Sequence, residues 1–399
     1  MSTEAPLKIV IFDGSFKTTT FINRLVKGLS KNHQVYILGF NTEIFKKIPK
    51  VTYIALGSSK NKMLLIWYSL SLGFQYFLKT GKISFLIKQF KKIASFNPES
   101  LKQNNFNLAI DLIQPDILHV QWASLLPWCE SVLNKKQPKV VLSQLGYQTN
   151  VRPFVNQDNF NYLQKIYPNI DGFHSITSDV SQQGDKIYTS DLKIDHIINL
   201  GFDMKHLNFN KLIYTHKKPL HILSVGRPHW IKGYADAIQV CNILKQNKIH
   251  FIYTIIGAEG NEELQYLIDD FKLKEEVILK PKISQDDVYK EMNQASLLLL
   301  PSIKEGLPNV VVEAMAIGLP VIATRCGGVE ELISHHKNGW LVPVYNPEGI
   351  ADAIINFSSL SSDEIEKIRL LARTTVEKIF SEEETIKDME TLYFEVLNK

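Results

Sequence analysis

LLLLPSIKEGLPNVVVEAMAIGLPVIATRCGGVEELISHHKNGWLV, residues 297–342, reads as strand, turn, helix, second strand and glycine turn. Leu297 to Leu300 is a short continuous apolar run, the pattern of a parallel strand buried on both faces. Pro301 ends it. A helix is expected to open near Pro308, whose fixed φ and missing N–H suit a first helical position. Gly318, with Pro320 two residues on, is a stop signal.

A helix start built this way offers unpaired amides. Those of Gly306, Leu307, Asn309 and Val310 lack helical partners, and Pro308 has none to give. Together with the positive end of the helix dipole they form an anion site. Gly306 has no side chain to hold a ligand away from the backbone. Glu305 stands in the turn, and Glu313 between one and two turns inside the helix. The two carboxylates can flank one ligand from different levels, with Gly327-Gly328 closing the far side. A carboxylate repels phosphate at contact, so both are read as acceptors for hydroxyls of a ribose or hexose.

Glu305-Gly306-Leu307-Pro308-Asn309-Val310-Val311-Val312-Glu313-Ala314-Met315 resembles the Glu-x7-Glu signature of retaining glycosyltransferases of family 4. Gly318 to Thr324, Gly327-Gly328, Glu331 and Asn338-Gly339 fit the same family. The resemblance implies a GT-B fold of class α/β, two doubly wound Rossmann-like domains facing across a cleft.

The chain's 399 residues suit two or three domains. At 45% hydrophobic and 22% charged it can bury sizeable cores. A net charge of +4 is too small to argue for nucleic acid. Cys129, Cys241 and Cys326 have no paired spacing, which argues against a disulfide framework or a zinc site and fits a reducing compartment. Glu4 and the short run Ile9 to Phe12 do not make a secretory signal. The cytoplasm is the expected location. No Asp-x-Asp occurs, so the metal–diphosphate clamp of the other large glycosyltransferase fold is missing and no metal or other cofactor is expected.

In chain order, Leu7 to Phe12 reads as a strand, Asp13-Gly14-Ser15 as its turn, and Gln34 to Leu38 as the next strand of a βαβ unit. Gly14 matches the position that lies near the donor sugar in the resembled family. From Lys46 to Lys102 lysines dominate, and Met63 to Leu78 is uncharged and aromatic. That run is shorter than the ~20 residues a spanning helix needs. It suits either a helix lying in an anionic membrane interface, on the inner face of the membrane, or one packed on the N-terminal sheet with solvated lysines. Asp116 to Trp122 is a strand ending where ligands bind in such sheets. His119 on it is either an acceptor-pocket residue or a structural histidine. Leu145 stands where the family commonly has a histidine contacting the donor sugar, and Gln144, Tyr147 or Arg152 are the candidates to replace that contact.

The second half opens with Leu220 to Gly226, a strand, and then Arg227 and Lys232 in a turn before a helix. An Arg fork and a Lys point charge suit a diphosphate, and they match the family's Gly-Arg…Lys-Gly element. Lys280 to Ile283 fall in the strand and turn where the resembled family seats the base, largely through backbone, and are candidates for that role; Lys205 to Lys218 reads as a linker. The expected division is residues 1–204 with the helix of 381–399 as the acceptor-binding domain, and 205–380 as the nucleotide-sugar domain.

The activity implied is transfer of a sugar from a nucleoside-diphosphate sugar to a glycan or lipid-linked acceptor, with retention. Glu305, Arg227 and Lys232 would carry the chemistry. Gly14, His119, Gly306, Leu307, Pro308, Asn309, Val310 and Glu313 would bind substrate. A GT-B-shaped epimerase or phosphorylase and a silent nucleotide-sugar-binding partner are the alternatives.

Overall fold

The computed structural model describes residues 5–16, 19–40, 47–58, 60–133, 135–204, 206–210 and 219–399. Glu4, Lys46 and most of the expected linker, Lys205 and 211–218, lie outside these. The chain forms two compact units, Met1–Phe202 with Glu382–Lys399, and Asp203–Ser381.

Unit 1 is built on a seven-stranded sheet, all parallel, of order β3-β2-β1-β4-β5-β6-β7. The strands are β1 Lys8–Gly14, β2 Gln34–Gly39, β3 Val51–Ala55, β4 Ile117–Val120, β5 Lys139–Gln144, β6 Gly172–Ser175 and β7 Asp195–Ile197. Ile9 to Phe12 and all of β4 are buried, as continuous apolar runs in a sheet covered on both faces require. The order reverses between β1 and β4. The loops after those two strands therefore stand at the switch point, outside the strand carboxyl ends, where open α/β sheets bind ligands.

Four helices of unit 1 matter below: α1 Thr20–Leu29, α2 Lys62–Thr80, α3 Ile83–Ala94 and α4 Pro98–Ile113. Asn61 caps α2 by accepting the Leu64 N–H at 3.2 Å, and Gly81 ends it at φ 67°. The inner face of α2, Leu65, Ser69 and Leu72, is buried. Asn105 of α4 ties it down, donating to Ser69 Oγ at 2.9 Å and to the Leu56 carbonyl at 3.0 Å. Met63 to Leu78 is thus a packed helix on that face. Among the described residues no helix is long and apolar enough to cross a membrane.

The helix Glu382–Asn398 covers one face of this same sheet. Met389, Leu392, Tyr393 and Val396 are buried in one cluster with Ile9, Ile11, Ile37 and Val141.

Unit 2 holds a six-stranded parallel sheet of order β10-β9-β8-β11-β12-β13. Its strands are β8 Leu220–Val225, β9 Phe251–Ile256, β10 Val277–Lys280, β11 Leu297–Leu300, β12 Val321–Thr324 and β13 Trp340–Val342. The switch falls between β8 and β11. The helix after β11 runs Asn309–Ile317 and ends at Gly318, φ 85°. It opens one residue later than expected. Pro308 is its cap and not its first residue, with an extended ψ of 101°, and its carbonyl accepts the Val311 N–H at 2.9 Å. Proline loses nothing there, since a cap's N–H takes no part in the helix.

Candidate functional site

In unit 2 the two loops at the switch point meet through their charges. The loop after β8 carries Arg227 and Lys232, and the loop after β11 carries Ser302 to Asn309. Lys232 Nζ lies 2.6 Å from Glu305 Oε1, and the Ser302 hydroxyl donates to the same oxygen at 2.7 Å. Both partners of the ion pair are mostly buried, at 24% and 14% side-chain exposure, so the pair is screened far less than one on the surface. Ser302 is itself fully buried, and the Thr324 hydroxyl donates to its carbonyl.

Backbone contacts hold the two loops together. The Ile303 N–H donates to the Ile231 carbonyl at 2.7 Å. Gly233 has φ 63°, and a Cβ there would stand 2.0 Å from the Pro301 carbonyl oxygen. Only glycine lets the β8 loop run that close to the β11 loop. On the other side the Glu305 N–H donates to the Cys326 carbonyl at 2.6 Å, and Glu305 bridges to Gly327. Gly327-Gly328 thus stands beside Glu305, as the sequence suggested.

At the helix start, the amides of Gly306, Leu307, Asn309 and Val310 donate to no acceptor within the chain among the described residues. Asn309 Oδ1 is buried there without a partner. Glu313 is 8% exposed, with the Tyr289 hydroxyl 3.4 Å from its Oε1. Arg227 is exposed and, among the described residues, has no hydrogen-bond or ion-pair partner. The arrangement presents one open cation, one cation shared with a carboxylate, four free amides and a buried carboxylate one turn deeper. Anion and hydroxyl recognition are both available.

Some expected contacts are already taken. The Lys280 carbonyl accepts the amides of Gly257, Ala258 and Glu259, and its ammonium pairs with Glu291 at 2.6 Å. Asn338 serves its own turn, accepting from the Ser334 N–H at 2.8 Å and donating to the Leu332 carbonyl at 3.0 Å. The buried Cys326 thiol is pushed up to about 12, first by burial and then by the Glu305 charge, so it is no nucleophile at neutral pH.

In unit 1 the loop after β1 stands at the switch point, while the histidine on β4 is buried within its strand. Gly14 ends β1 at φ 75°, with Leu125 packed where a Cβ would be. Beside it, Asp13 accepts the Trp122 indole N–H at 2.6 Å, so the loops after β1 and β4 are joined across the switch point. Burial raises the Asp13 carboxyl from its ordinary 3.8 to about 7, the indole bond opposing it. Asp13 was not singled out from the sequence; its place between a strand end and a turn glycine is the signal that was there to read.

His119 is a correction. It is fully buried, and both ring nitrogens are occupied, by Tyr393 and Ser143, each at 2.7 Å. The bonds continue from Ser143 Oγ to His174 Nδ1 at 2.9 Å and from His174 Nε2 to the Ile198 carbonyl at 2.9 Å. That carbonyl can only accept, which sets every proton in the chain. His174 donates from Nε2, Ser143 donates to His174, His119 donates to Ser143, and Tyr393 donates to His119. Burial lowers both histidines, His174 to about 4, so both are neutral and His119 has no nitrogen left for an acceptor. Of the candidates to replace a contact at Leu145, Gln144 is fully buried against Ser175, while Tyr147 and Arg152 are exposed. Among the described residues no cluster of His, Cys, Asp or Glu is placed to hold a metal ion.

Comparison with known proteins follows the same division. Residues 209–370 match the family described as Glycosyl transferases group 1. Amylovoran biosynthesis glycosyltransferase AmsK of Erwinia amylovora is 35% identical over 194 residues, 47% of this chain and 47% of its own. The putative colanic acid biosynthesis glycosyltransferase WcaL of Escherichia coli K12 is 31% identical over 203 residues, 49% of this chain and 50% of its own. The chain spans about half the length of these curated relatives. Sucrose-phosphate synthase of Thermosynechococcus elongatus has a similar structure, with a TM-score of 0.75 at 15% identity over 98% of this chain and 99% of that one. HepE of Anabaena, solved with UDP and glucose, gives 0.71 at 16% identity over 96% and 98%. At such identities the structural likeness speaks to fold alone. Residues 209–370 are therefore similar to a glycosyl transferases group 1 domain, in a chain whose two Rossmann-like units have the fold of the GT-B glycosyltransferases.

Proposed function

We propose that the chain transfers a sugar from a nucleoside-diphosphate sugar to a hydroxyl of a glycan or lipid-linked acceptor, in polysaccharide or glycolipid synthesis. The observation that carries this reading is the Lys232–Glu305 pair set beside four unpaired amides at the switch point of unit 2. A cation and free N–H groups beside a carboxylate suit a ligand that is anionic at one end and hydroxylated at the other. A nucleotide sugar is such a ligand.

In this reading Arg227, Lys232 and the amides of Gly306 and Leu307 take up the charge that grows on the diphosphate as the glycosidic bond breaks. Electrostatic stabilisation of that kind is usually the largest catalytic contribution. Glu305 holds Lys232 in place and accepts from donor-sugar hydroxyls, while Glu313 accepts from the ribose. Asn309 and Val310 lie over the phosphates, and Leu307 and Pro308 shape the turn. Unit 1 binds the acceptor, and Gly14 in its β1 loop contacts substrate. Retention follows by front-face attack, the leaving phosphate taking the acceptor's proton. No metal is needed, because protein cations and amides carry the diphosphate charge. The biosynthetic names of AmsK and WcaL support a glycan acceptor.

Calorimetric titration with UDP, GDP and ADP in the presence of a chelator tests this. One nucleotide should bind, with UDP the first to try given its presence in the HepE structures. Lys232→Ala should weaken the diphosphate and hardly alter the bare nucleoside. Glu313→Ala should cost about 1.5–3 kcal/mol of affinity, the range for a charged hydrogen bond. Parent-like binding by both variants would overturn the site. Tight binding without sugar transfer would favour a silent nucleotide-sugar partner, and epimerised donor without acceptor would favour an epimerase.

A further inference from the structure

The α2–α3 hairpin is apolar on its outside as well as its inside. Met63, Trp67, Phe74 and Leu78 recur at helical spacing on the face of α2 away from Leu65, Ser69 and Leu72, and they are exposed, Met63 by 81% and Trp67 by 66%. On α3, Ile83, Ile87 and Phe90 repeat the pattern and are exposed as well. Single exposed apolar residues need no explanation, but stripes on two adjoining helices are rare on a surface that faces only water.

The charges around the stripes are of one sign. Between Lys60 and Pro98 there are seven lysines and no Asp or Glu, more positive charge than the whole chain's net +4. The rest of the chain is therefore net negative. Two of these lysines are engaged at α4, Lys79 on the Asp111 and Leu112 carbonyls and Lys92 on Asn104. Lys82, Lys88 and Lys91 are exposed on or beside α3. Two copies meeting through this face would bring lysine against lysine.

We infer that the outer face of α2 and α3 docks this chain on an anionic lipid surface, the apolar stripes entering the headgroup boundary and the lysines pairing with lipid phosphates. A basic, aromatic-bearing helix surface of this kind binds in the interface plane without spanning. The net-negative remainder of the chain is repelled by the same surface, so the docking has one orientation. The inference rests on this surface alone and stands or falls independently of the nucleotide site.

Sedimentation of the full chain with vesicles tests it, comparing equimolar phosphatidylglycerol and phosphatidylcholine with phosphatidylcholine alone. The chain should pellet with the anionic vesicles and stay in solution with the neutral ones. Lys88→Gln and Lys91→Gln should each weaken the partition about fivefold. Trp67→Gln with Phe74→Gln should abolish it while nucleotide titration and circular dichroism stay those of the parent. Brominated acyl chains should quench tryptophan emission in the parent and lose that quenching in Trp67→Phe, which still pellets. Failure to pellet with anionic vesicles, or pelleting that the double variant leaves intact, overturns the inference. A concentration-dependent dimer that the double variant disperses, with no vesicle binding, assigns the face to a second copy instead.

Discussion

Asp13 holds its proton through a range where a carboxyl in water has lost it. Burial outweighs the Trp122 bond and raises it to about 7. An acid whose folded value lies above its unfolded one favours folding fully below 3.8 and loses that contribution as pH rises through about 7. Asp13→Asn keeps an oxygen to accept the indole N–H and has no proton to lose. The variant should match the parent in denaturant stability at low pH and exceed it above neutrality. Parallel stability curves across pH would show that folding does not shift the Asp13 carboxyl. His174 carries the opposite sign: lowered to about 4, it contributes above its ordinary 6.5 and loses that contribution as pH falls. At this scale the sequence was uneven. Lys232 and Glu305 could be singled out because each falls in a strand-to-helix loop that matches a motif of the resembled family, and the structure pairs them. The fate of His119 was not, since its partner Tyr393 is 274 residues away and no local pattern couples them.

Among elements, the loop after β8 is closely constrained at Gly233. Gly233 and Gly260 both have positive φ, 63° and 74°, but a Cβ at Gly260 would meet nothing within 4 Å while one at Gly233 would strike the Pro301 carbonyl. Alanine at either costs about 1–2 kcal/mol from backbone handedness alone. Gly233→Ala should cost more and should also lose nucleotide affinity, because relieving the contact moves Lys232 from Glu305. Gly260→Ala should lose stability only. Equal affinities in a titration of the two variants would mean that the β8 loop does not position the cation. In unit 2, β8, β11 and β12 could be read from the sequence because buried parallel strands are continuous apolar runs between turn residues, while the three residues of β13 were too short a run to read. β3 was harder: VTYIA is a five-residue edge strand, mostly half-buried and without a clear period. The hairpin of α2 and α3 defeats periodicity in another way, since a helix apolar on two sides fits a packed helix and a surface one equally.

For the whole molecule, the return of the chain to its first sheet matters most. The helix Glu382–Asn398 fits too closely for a loose appendage. A Cβ on Gly28 would stand 2.3 Å from Ile386, and one on Gly172 would stand 2.5 Å from Val396. Glu390 and Glu395 meet His33 and His196 at 3.0 and 2.7 Å. Tyr393→Phe removes the first donor in the proton-ordered line through His119, Ser143 and His174, leaving a buried nitrogen unpaired. It should cost about 1–3 kcal/mol in a denaturant titration, with affinity for the nucleotide unchanged because the proposed site lies in unit 2. A fall in nucleotide affinity of similar size would tie the line to the site.

The same return sets an order of assembly. On a ribosome the seven strands of unit 1 emerge before unit 2, yet the helix residues that cover Ile9, Ile11 and Val141 are made after it. Unit 2, uninterrupted from Asp203 to Ser381, has all its parts before its predecessor does. Unit 1 is begun before unit 2 and completed after it, and until residue 396 is made its sheet keeps an apolar face exposed to chaperones, proteases and other nascent chains.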